Sequence, residues 1–458
     1  MRYLAVDLGT SFLKGAVLDL DALTFAHVVR RPFPPAIPGL PPGHTEVDPD
    51  AVVNATRGLL EELAGDAPDA AGIVITSQMH GLVLTDSTGR ALTNAITWQD
   101  QRSLDLHPEG DGSIYARLSA VLTPEQDAAT GYGMRPGLPL CALAWMAAHG
   151  RLPAGAIPAA LPDYVLATLA GAGPSIELTM AASMGPVDLT TGDWHWGVLE
   201  SVGLADLAWP KMVDANATAY MIPVRGRELP CLPPVGDHQC ALAGALLQSD
   251  ELSINVSTGS QVGMIVPSFV AGPYETRPYF DGRFLQTITR IPAGRALNAL
   301  VDLLTEPARA EGVTLRDPWG TIAAAVERTP ATDVEMQVTF FPSALGDRGY
   351  IANLREETMQ VGHLFRAAFC AMADNYLLCA ERLQPPAPWQ RIVFSGGLVQ
   401  RFATLREEIL RRFKVADRLC PTAEDTLLGL TALALVHAGR YASVEAAVAY
   451  LAAHYGVA

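Results

Sequence analysis

The sequence predicts a mixed α/β protein made of two related halves. A β-type apolar run breaks at a small-residue turn and resumes near the start of the chain, at residues 3–19, and the same pattern returns at residues 252–266. Two further apolar runs end in small or polar residues, Ser77-Gln78-Met79-His80-Gly81 and Ser395-Gly396-Gly397, the place where open α/β sheets bind ligands. Helical periodicity fills the stretches between. With 458 residues, 49% hydrophobic and 17% charged, the chain has ordinary globular usage, which excludes a disordered, collagen-like or coiled-coil protein.

Taken in order, Tyr3 to Val6 and Leu13 to Asp19 read as strands of a hairpin around the turn Asp7-Leu8-Gly9-Thr10-Ser11. Six prolines between Pro32 and Pro42 mark an irregular segment. Asp48 followed by Pro49 is an N-cap with proline at the first helical position, opening a helix over Ala51 to Leu63. Ala71 to Thr76 is a buried strand. Leu138 to Ala148 and Pro162 to Leu169 read as helices, and Met180 to Leu189 as a strand that ends in the turn Thr190-Thr191-Gly192-Asp193. Leu252 to Ser257 and Gln261 to Val266 form the second hairpin around Thr258-Gly259-Ser260. The chain closes with the strand Arg391 to Phe394 and helices over Phe402 to Phe413 and Asp425 to His437.

Lys and Arg number 32 against 48 Asp and Glu, a net charge of −16 that repels phosphate backbones and anionic membranes. Nucleic acid is therefore not expected as a partner. A small anion is still allowed, because backbone amides of a glycine turn hold phosphate locally. Asp7 interrupts the first apolar run, so the N-terminus is not expected to be a secretory segment, and no run of about 18 apolar residues suits a membrane span. The six cysteines show no C-x-x-C spacing and are expected as buried reduced thiols in a cytoplasmic protein.

Four groups of residues carry chemistry. In Asp7-Leu8-Gly9-Thr10-Ser11-x-x-Lys14, turn amides can face phosphate while Asp7 holds Mg²⁺; an ordinary type I′ hairpin is the alternative. The turns Ser257-Thr258-Gly259-Ser260 and Ser395-Gly396-Gly397 add two more such sites, as a nucleotide clamped between halves would need. Asp237 heads the small-residue helix Ala241-Leu242-Ala243-Gly244-Ala245, where a carboxylate is either a helix cap or a general base for a hydroxyl attacking a phosphoryl group. Gln78, Met79, His80, Trp98 and Asp100 supply the amide, imidazole, indole and carboxylate groups that sugar hydroxyls and C–H faces require; a core histidine and an Asp100–Arg102 surface salt bridge are the alternatives.

In this order the segments resemble the FGGY carbohydrate kinases of the actin-like ATPase superfamily, over nearly the whole chain. The matching motifs are Asp7-Leu8-Gly9-Thr10-Ser11-x-x-Lys14, Gln78-Met79-His80-Gly81, Trp98-Gln99-Asp100-x-Arg102, Gly236-Asp237-x-Gln239, Asn255-Val256-Ser257-Thr258-Gly259-Ser260-Gln261, Ser395-Gly396-Gly397 and Asp425-x-x-x-Gly429. Within the family the likeness is strongest to the sedoheptulokinase branch and next to the xylulokinases, with Asp163-Tyr164-Val165 as a further shared feature.

The resemblance implies a two-domain actin-like (ribonuclease H-like) fold with a cleft between the domains. Residues 1–243 would bind sugar and supply the base Asp237, and residues 244–458 would bind ATP. Gly9, Thr10, Ser11, Lys14, Ser257, Thr258, Gly259, Ser260, Gly396 and Gly397 would hold the nucleotide, Asp7 the Mg²⁺, and Gln78, Met79, His80, Trp98, Asp100 and Asp237 the sugar. The implied partner is a small-molecule ketose, sedoheptulose before pentuloses, with no nucleic acid or membrane; a homodimer is allowed. A non-catalytic nucleotide-dependent sugar sensor on the same fold is the rival, and the intact Asp7, Asp237 and glycine turns speak against it.

The chain departs from the family pattern at three places. Leu178-Thr179-Met180 precedes Ala181-Ala182-Ser183 where relatives carry a carboxylate, leaving Glu177 displaced. Cys141-Ala142-Leu143-Ala144-Trp145 lacks the usual lysine, and Gly346-Asp347-Arg348 replaces Gly-Glu-Arg.

Overall fold

Two sheets of the same plan organise the chain in the computed structural model, which describes residues 1–131, 133–385 and 388–457. In the first, the strands Arg2–Leu8, Phe12–Asp19 and Thr24–Pro32 form an antiparallel meander, and Arg2–Leu8 also pairs in parallel with Ile73–Ser77. In the second, Glu251–Asn255, Gly259–Val266 and Phe284–Pro292 form the meander, and Glu251–Asn255 pairs in parallel with Arg391–Ser395. Both meanders carry a register shift between their second and third strands, at Gly15/Val17 and at Ser260/Val262. The two related halves expected from the repeated hairpin are thus present as repeated topology.

Helices cover the sheets by their apolar stripes. Asp48 caps the helix Pro49–Asp66 by accepting from the Asp50 N–H at 3.0 Å. Val52, Thr56, Leu59 and Leu63 of this helix are buried, and a Cβ on Gly15 of the sheet would sit 2.9 Å from Leu59 Cδ1, so glycine there lets helix and strand meet. Residues of both sheets join the helices Asp237–Gly244 and Asp425–His437 in one apolar cluster that includes Ala5, Val74, Leu242, Ile265, Val393 and Leu433. Those two helices cross at glycines: a Cβ on Gly244 would overlap the Asp425 carbonyl oxygen at 1.7 Å, and one on Gly429 the Cys240 carbonyl at 2.0 Å. Among the described residues no helix is long and apolar enough to cross a membrane.

Four expectations shift. The segment expected as a strand over Met180 to Leu189 begins instead as the helix Leu178–Met184, capped by Glu177 and stopped by Gly185 at φ 113°, and only Val187–Asp188 is extended. The tip of the second hairpin lies one to two residues earlier than expected, because the strand resumes at Gly259. Gly9, Thr10 and Ser11 all keep negative φ, so the first hairpin is not a type I′ turn. All six cysteines are free, but Cys370 and Cys420 are partly exposed rather than buried.

Candidate active site

The strand ends of both sheets open on one cavity of about 600 Å³, lined by Thr10, Gln78, Met79, His80, Trp98, Asp237, Ser257, Gly259, Arg277 and Thr426 among others. Asp237 is the first residue of its helix, and Gly236 occupies the cap position without a side-chain bond, so Asp237 is not the N-cap. Burial, and then the charge of Asp7, raise the Asp237 carboxyl to about 7, within reach of the pH at which a general base works best.

Asp7 lies at the end of Arg2–Leu8, opposite Lys14 in the hairpin and Thr76 in the parallel neighbour. Its Oδ2 accepts from Thr426 Oγ1 at 2.8 Å and lies 3.6 Å from Lys14 Nζ. Burial raises the proton affinity of Asp7 against the pull of Lys14, and burial also raises that of Asp425, with Asp7 adding to it. Asp7 thus shares its lysine with Glu424, which contacts Lys14 Nζ at 3.0 Å.

Thr10 is fixed from two sides: Trp98 Nε1 donates to its Oγ1 at 3.1 Å, and that hydroxyl faces Gln78 Oε1 at 3.3 Å. Gln78 Nε2 donates to the Gly9 carbonyl at 3.4 Å. The two groups expected on the sugar side therefore touch the first hairpin. Trp98 lines the cavity and is 43% exposed. His80, at φ 67°, accepts at Nε2 from Arg135, 3.2 Å away; burial, with Arg135 and Arg277 beside it, holds the imidazole neutral.

Asp100 is not brought into the cavity. Its carboxylate accepts from Arg102 Nε at 2.9 Å and Nη2 at 2.8 Å and from the Thr45 N–H at 2.7 Å, and Arg102 also binds Glu46 at 2.6 Å. This is a buried ion pair rather than a surface one, and it braces the segment that presents Trp98. On the second hairpin, Ser257 Oγ donates to Asn255 Oδ1 at 2.7 Å, and Asn255 Nδ2 donates to Ser395 Oγ at 2.9 Å. The Ser260 hydroxyl points into the core, where Tyr376 donates to it at 2.7 Å. Thr258 joins the backbone of the next element by accepting from the Arg295 N–H at 3.0 Å. Gly259 and Gly397 have open space where a Cβ would be, whereas Gly396, at φ 90°, has the Val256 carbonyl 2.4 Å from that position. Gly396 and Gly397 therefore stand beside the second hairpin.

Arg277 carries no local signal in the sequence. It comes from the strand Glu275–Pro278, donates to Glu275 Oε2 at 2.6 Å and faces His238 Nδ1 at 3.2 Å, while Arg135 binds the other oxygen of Glu275 at 2.6 Å. Burial alone would raise Glu275, but the two arginines outweigh it and hold the carboxylate well below its ordinary range. Thr426 was within reach of sequence reasoning, since it follows Asp425 in the Asp425-x-x-x-Gly429 motif.

Residues 2–227 match the FGGY family of carbohydrate kinases, N-terminal domain. The chain is 24% identical to sedoheptulokinase from Homo sapiens over 90% of its own length and 92% of that protein. Its fold superposes on ligand-bound xylulose kinase from Lactobacillus acidophilus with a TM-score of 0.80 at 20% identity, covering 97% of this chain and 91% of that one. It superposes on Plasmodium falciparum glycerol kinase with ADP with a TM-score of 0.84 at 17% identity, covering 98% and 92%. The repeated sheets, the motifs around the cavity and these likenesses converge on a sugar kinase with the two-domain actin-like ATPase fold, and the chain belongs to the FGGY family of carbohydrate kinases.

Proposed function

We propose that the protein transfers the γ-phosphoryl group of ATP to the terminal primary hydroxyl of a ketose, with sedoheptulose preferred and sedoheptulose 7-phosphate as product. The supporting observation is the single cavity that gathers Thr10, Gln78, His80, Trp98 and Asp237 from the first half with Ser257 and Gly259 from the second.

Asp237 accepts the proton of the attacking hydroxyl, its carboxyl poised at about 7 for that task. Gln78, Met79, His80 and Trp98 line the sugar side, where His80 presents a neutral ring. Asp100 serves them from behind by holding Arg102 and Thr45. Gly9, Thr10, Ser11 and Lys14 on one side, and Ser257, Thr258, Gly259, Ser260, Gly396 and Gly397 on the other, hold the nucleotide largely through backbone amides; the Ser260 hydroxyl is buried in the core against Tyr376. Residues 1–243 form the sugar-side domain and 244–458 the nucleotide domain.

A divalent cation fits the acidic corner. Burial raises the proton affinity of Asp7, Asp237 and Asp425, the Asp7 charge adds to that of the other two, and one or two carboxylates together with phosphate oxygens are the usual Mg²⁺ environment. Mg²⁺ held there by Asp7 would screen the phosphate charges during transfer. The polar wall also sets specificity, since each buried polar group left without its hydroxyl costs roughly 1–3 kcal/mol.

The test is kcat/KM for D-sedoheptulose, D-xylulose, D-ribulose and glycerol at saturating MgATP. Sedoheptulose is expected to exceed each pentulose by about tenfold or more, with glycerol nearly inert. A pentulose ahead by tenfold would make the protein a pentulose kinase, and turnover of none would favour a sugar sensor.

A further inference from the structure

Nearby backbone amides, those of His238 and of Asp237 itself, stabilise the Asp237 carboxylate, and no side-chain hydrogen bond does so among the described residues, so the path of the main chain decides where the base stands. That path is tightly confined one residue earlier. Gly236 pairs with Ser77 in the first sheet, and a Cβ on it would lie 2.5 Å from Gln239 Oε1 and 3.0 Å from Met79 Cε. Its N–H has one partner, the Thr179 hydroxyl, which accepts at 2.9 Å.

Thr179 is itself held. Its N–H donates to Glu177 Oε2 at 2.7 Å, and its hydroxyl donates to the same oxygen. A hydroxyl has a single proton, and with Glu177 taking it the oxygen lone pairs are left for Gly236. Thr179 is 1% exposed and Glu177 5%, so water does not replace either bond. The carboxylate that is displaced in sequence thus reaches the base through one hydroxyl and one amide.

We propose that Glu177 and Thr179 form a positioning clamp that holds the Val235–Gly236 peptide, directly ahead of the base, and so aims the Asp237 carboxylate at the reacting hydroxyl. The proposal rests on Asp237 being the base. The clamp touches neither sugar nor nucleotide, and its loss changes the rate of the chemical step and not the binding of either substrate. Misplacement of a catalytic group by about 1 Å costs on the order of 10²-fold in rate.

The experiment compares Thr179→Val, which keeps shape and loses the acceptor, with Thr179→Ser, which keeps it. Thr179→Val is expected to lower kcat by about tenfold to hundredfold with KM for ketose and for ATP within about threefold, while Thr179→Ser stays within about threefold of the parent in all three. Hydrogen exchange at the Gly236 amide, read by NMR, is expected to quicken by about tenfold or more in Thr179→Val and to stay unchanged in Thr179→Ser. If Thr179→Val does not fold, Glu177→Gln is used instead, with a smaller loss of kcat at constant KM expected. A parent-like kcat in the folded Val variant (or in Glu177→Gln where that stands in), an equal loss in Val and Ser, or an unchanged Gly236 exchange rate overturns the clamp. Asp237→Asn is measured beside them: if it keeps its activity, the base assignment fails, and the Gly236 exchange rate still reports on the hydrogen bond itself.

Discussion

Position for position, Asp7 at the end of the first hairpin's leading strand stands where the second hairpin has Asn255, each beside a parallel neighbour, Thr76 in one sheet and Ser395 in the other. A similar contrast separates other carboxyls of the two halves, with Asp100 on Arg102 in the first and Asp425 in the second as exceptions. Glu177 and Asp163 of the first half are buried carboxyls whose proton affinity burial raises, and neither oxygen of Asp163 has a hydrogen-bond partner among the described residues. Buried carboxylates of the second half are matched by arginines: Glu251 with Arg418 at 2.6 Å and Arg391 at 2.8 Å, Glu408 with Arg366 at 2.5 Å. Burial would raise Glu408, yet Arg412 and Arg366 hold it low. One topology therefore carries an acidic turn at Asp7 in the first hairpin and a neutral, hydroxyl-bearing turn at Asn255 and Ser257 in the second.

The largest test of that contrast is Asp237→Asn, expected to lower kcat by roughly 10²–10⁴ with substrate affinities changed only a few-fold. Steady-state kinetics with calorimetric binding decides it; more than about a tenth of the parent kcat would remove Asp237 as base. Its companion is Asp7→Asn, which makes the two hairpins alike. Because the Asp7 charge helps raise Asp237, its removal should move the acid limb of kcat/KM to lower pH, and the Mg²⁺ requirement should rise.

Next in size is a pH effect on stability. Glu177 sits at about 7 in the fold against 4.5 for the free side chain, so the folded chain keeps a proton that the unfolded chain releases between those values. Stability is full below pH 4.5 and is lost as pH rises toward 7, by roughly 3 kcal/mol at about 1.4 kcal/mol per pH unit. Thermal melts of Glu177→Gln should show a flatter pH dependence across this window. An unchanged slope would mean that Glu177 is ionised in the fold.

Smaller effects separate the two glycine turns. Gly396→Ala combines positive φ with a Cβ 2.4 Å from the Val256 carbonyl, and is expected to cost about 1–3 kcal/mol in urea unfolding. Gly9→Ala, with 3.0 Å to the Phe12 carbonyl and no positive φ, should cost less. Last, Asn255→Asp would give the second hairpin the charge of the first and is expected to weaken ADP by about tenfold, an estimate from one like charge brought near the phosphates; equal affinity by calorimetry would place the phosphates elsewhere.

Local patterns in the sequence carried the hairpins, the strand ending at Ser77 and the helix Asp425–His437, because alternation and glycine punctuation are local signals. Helix Leu178–Met184 was hidden for the opposite reason. Its seven residues are too few for a helical period to show, and its start depends on Glu177 folding back onto Thr179. Arg277 and Glu275 stand in no motif, and only the fold carries them to His238 and Arg135, which lie far away in the chain. Asp100 offered the reverse lesson: the motif drew attention to a carboxylate whose bonds all turn inward.

The glycine crossing of helices Asp237–Gly244 and Asp425–His437 bears on mutational tolerance. A methyl at Gly244 meets the backbone of Asp425, and one at Gly429 meets the backbone of Cys240. Neither collision can be relieved by trimming a side chain, so no single suppressor substitution at the facing position restores the fit. Relief needs one helix to shift as a body, and one of them begins with Asp237 while the other carries Thr426, the hydroxyl on Asp7. Variation at these two glycines is therefore constrained as strictly as at the residues that do the chemistry, and a screen that scored only side-chain contacts with ligand would overlook both.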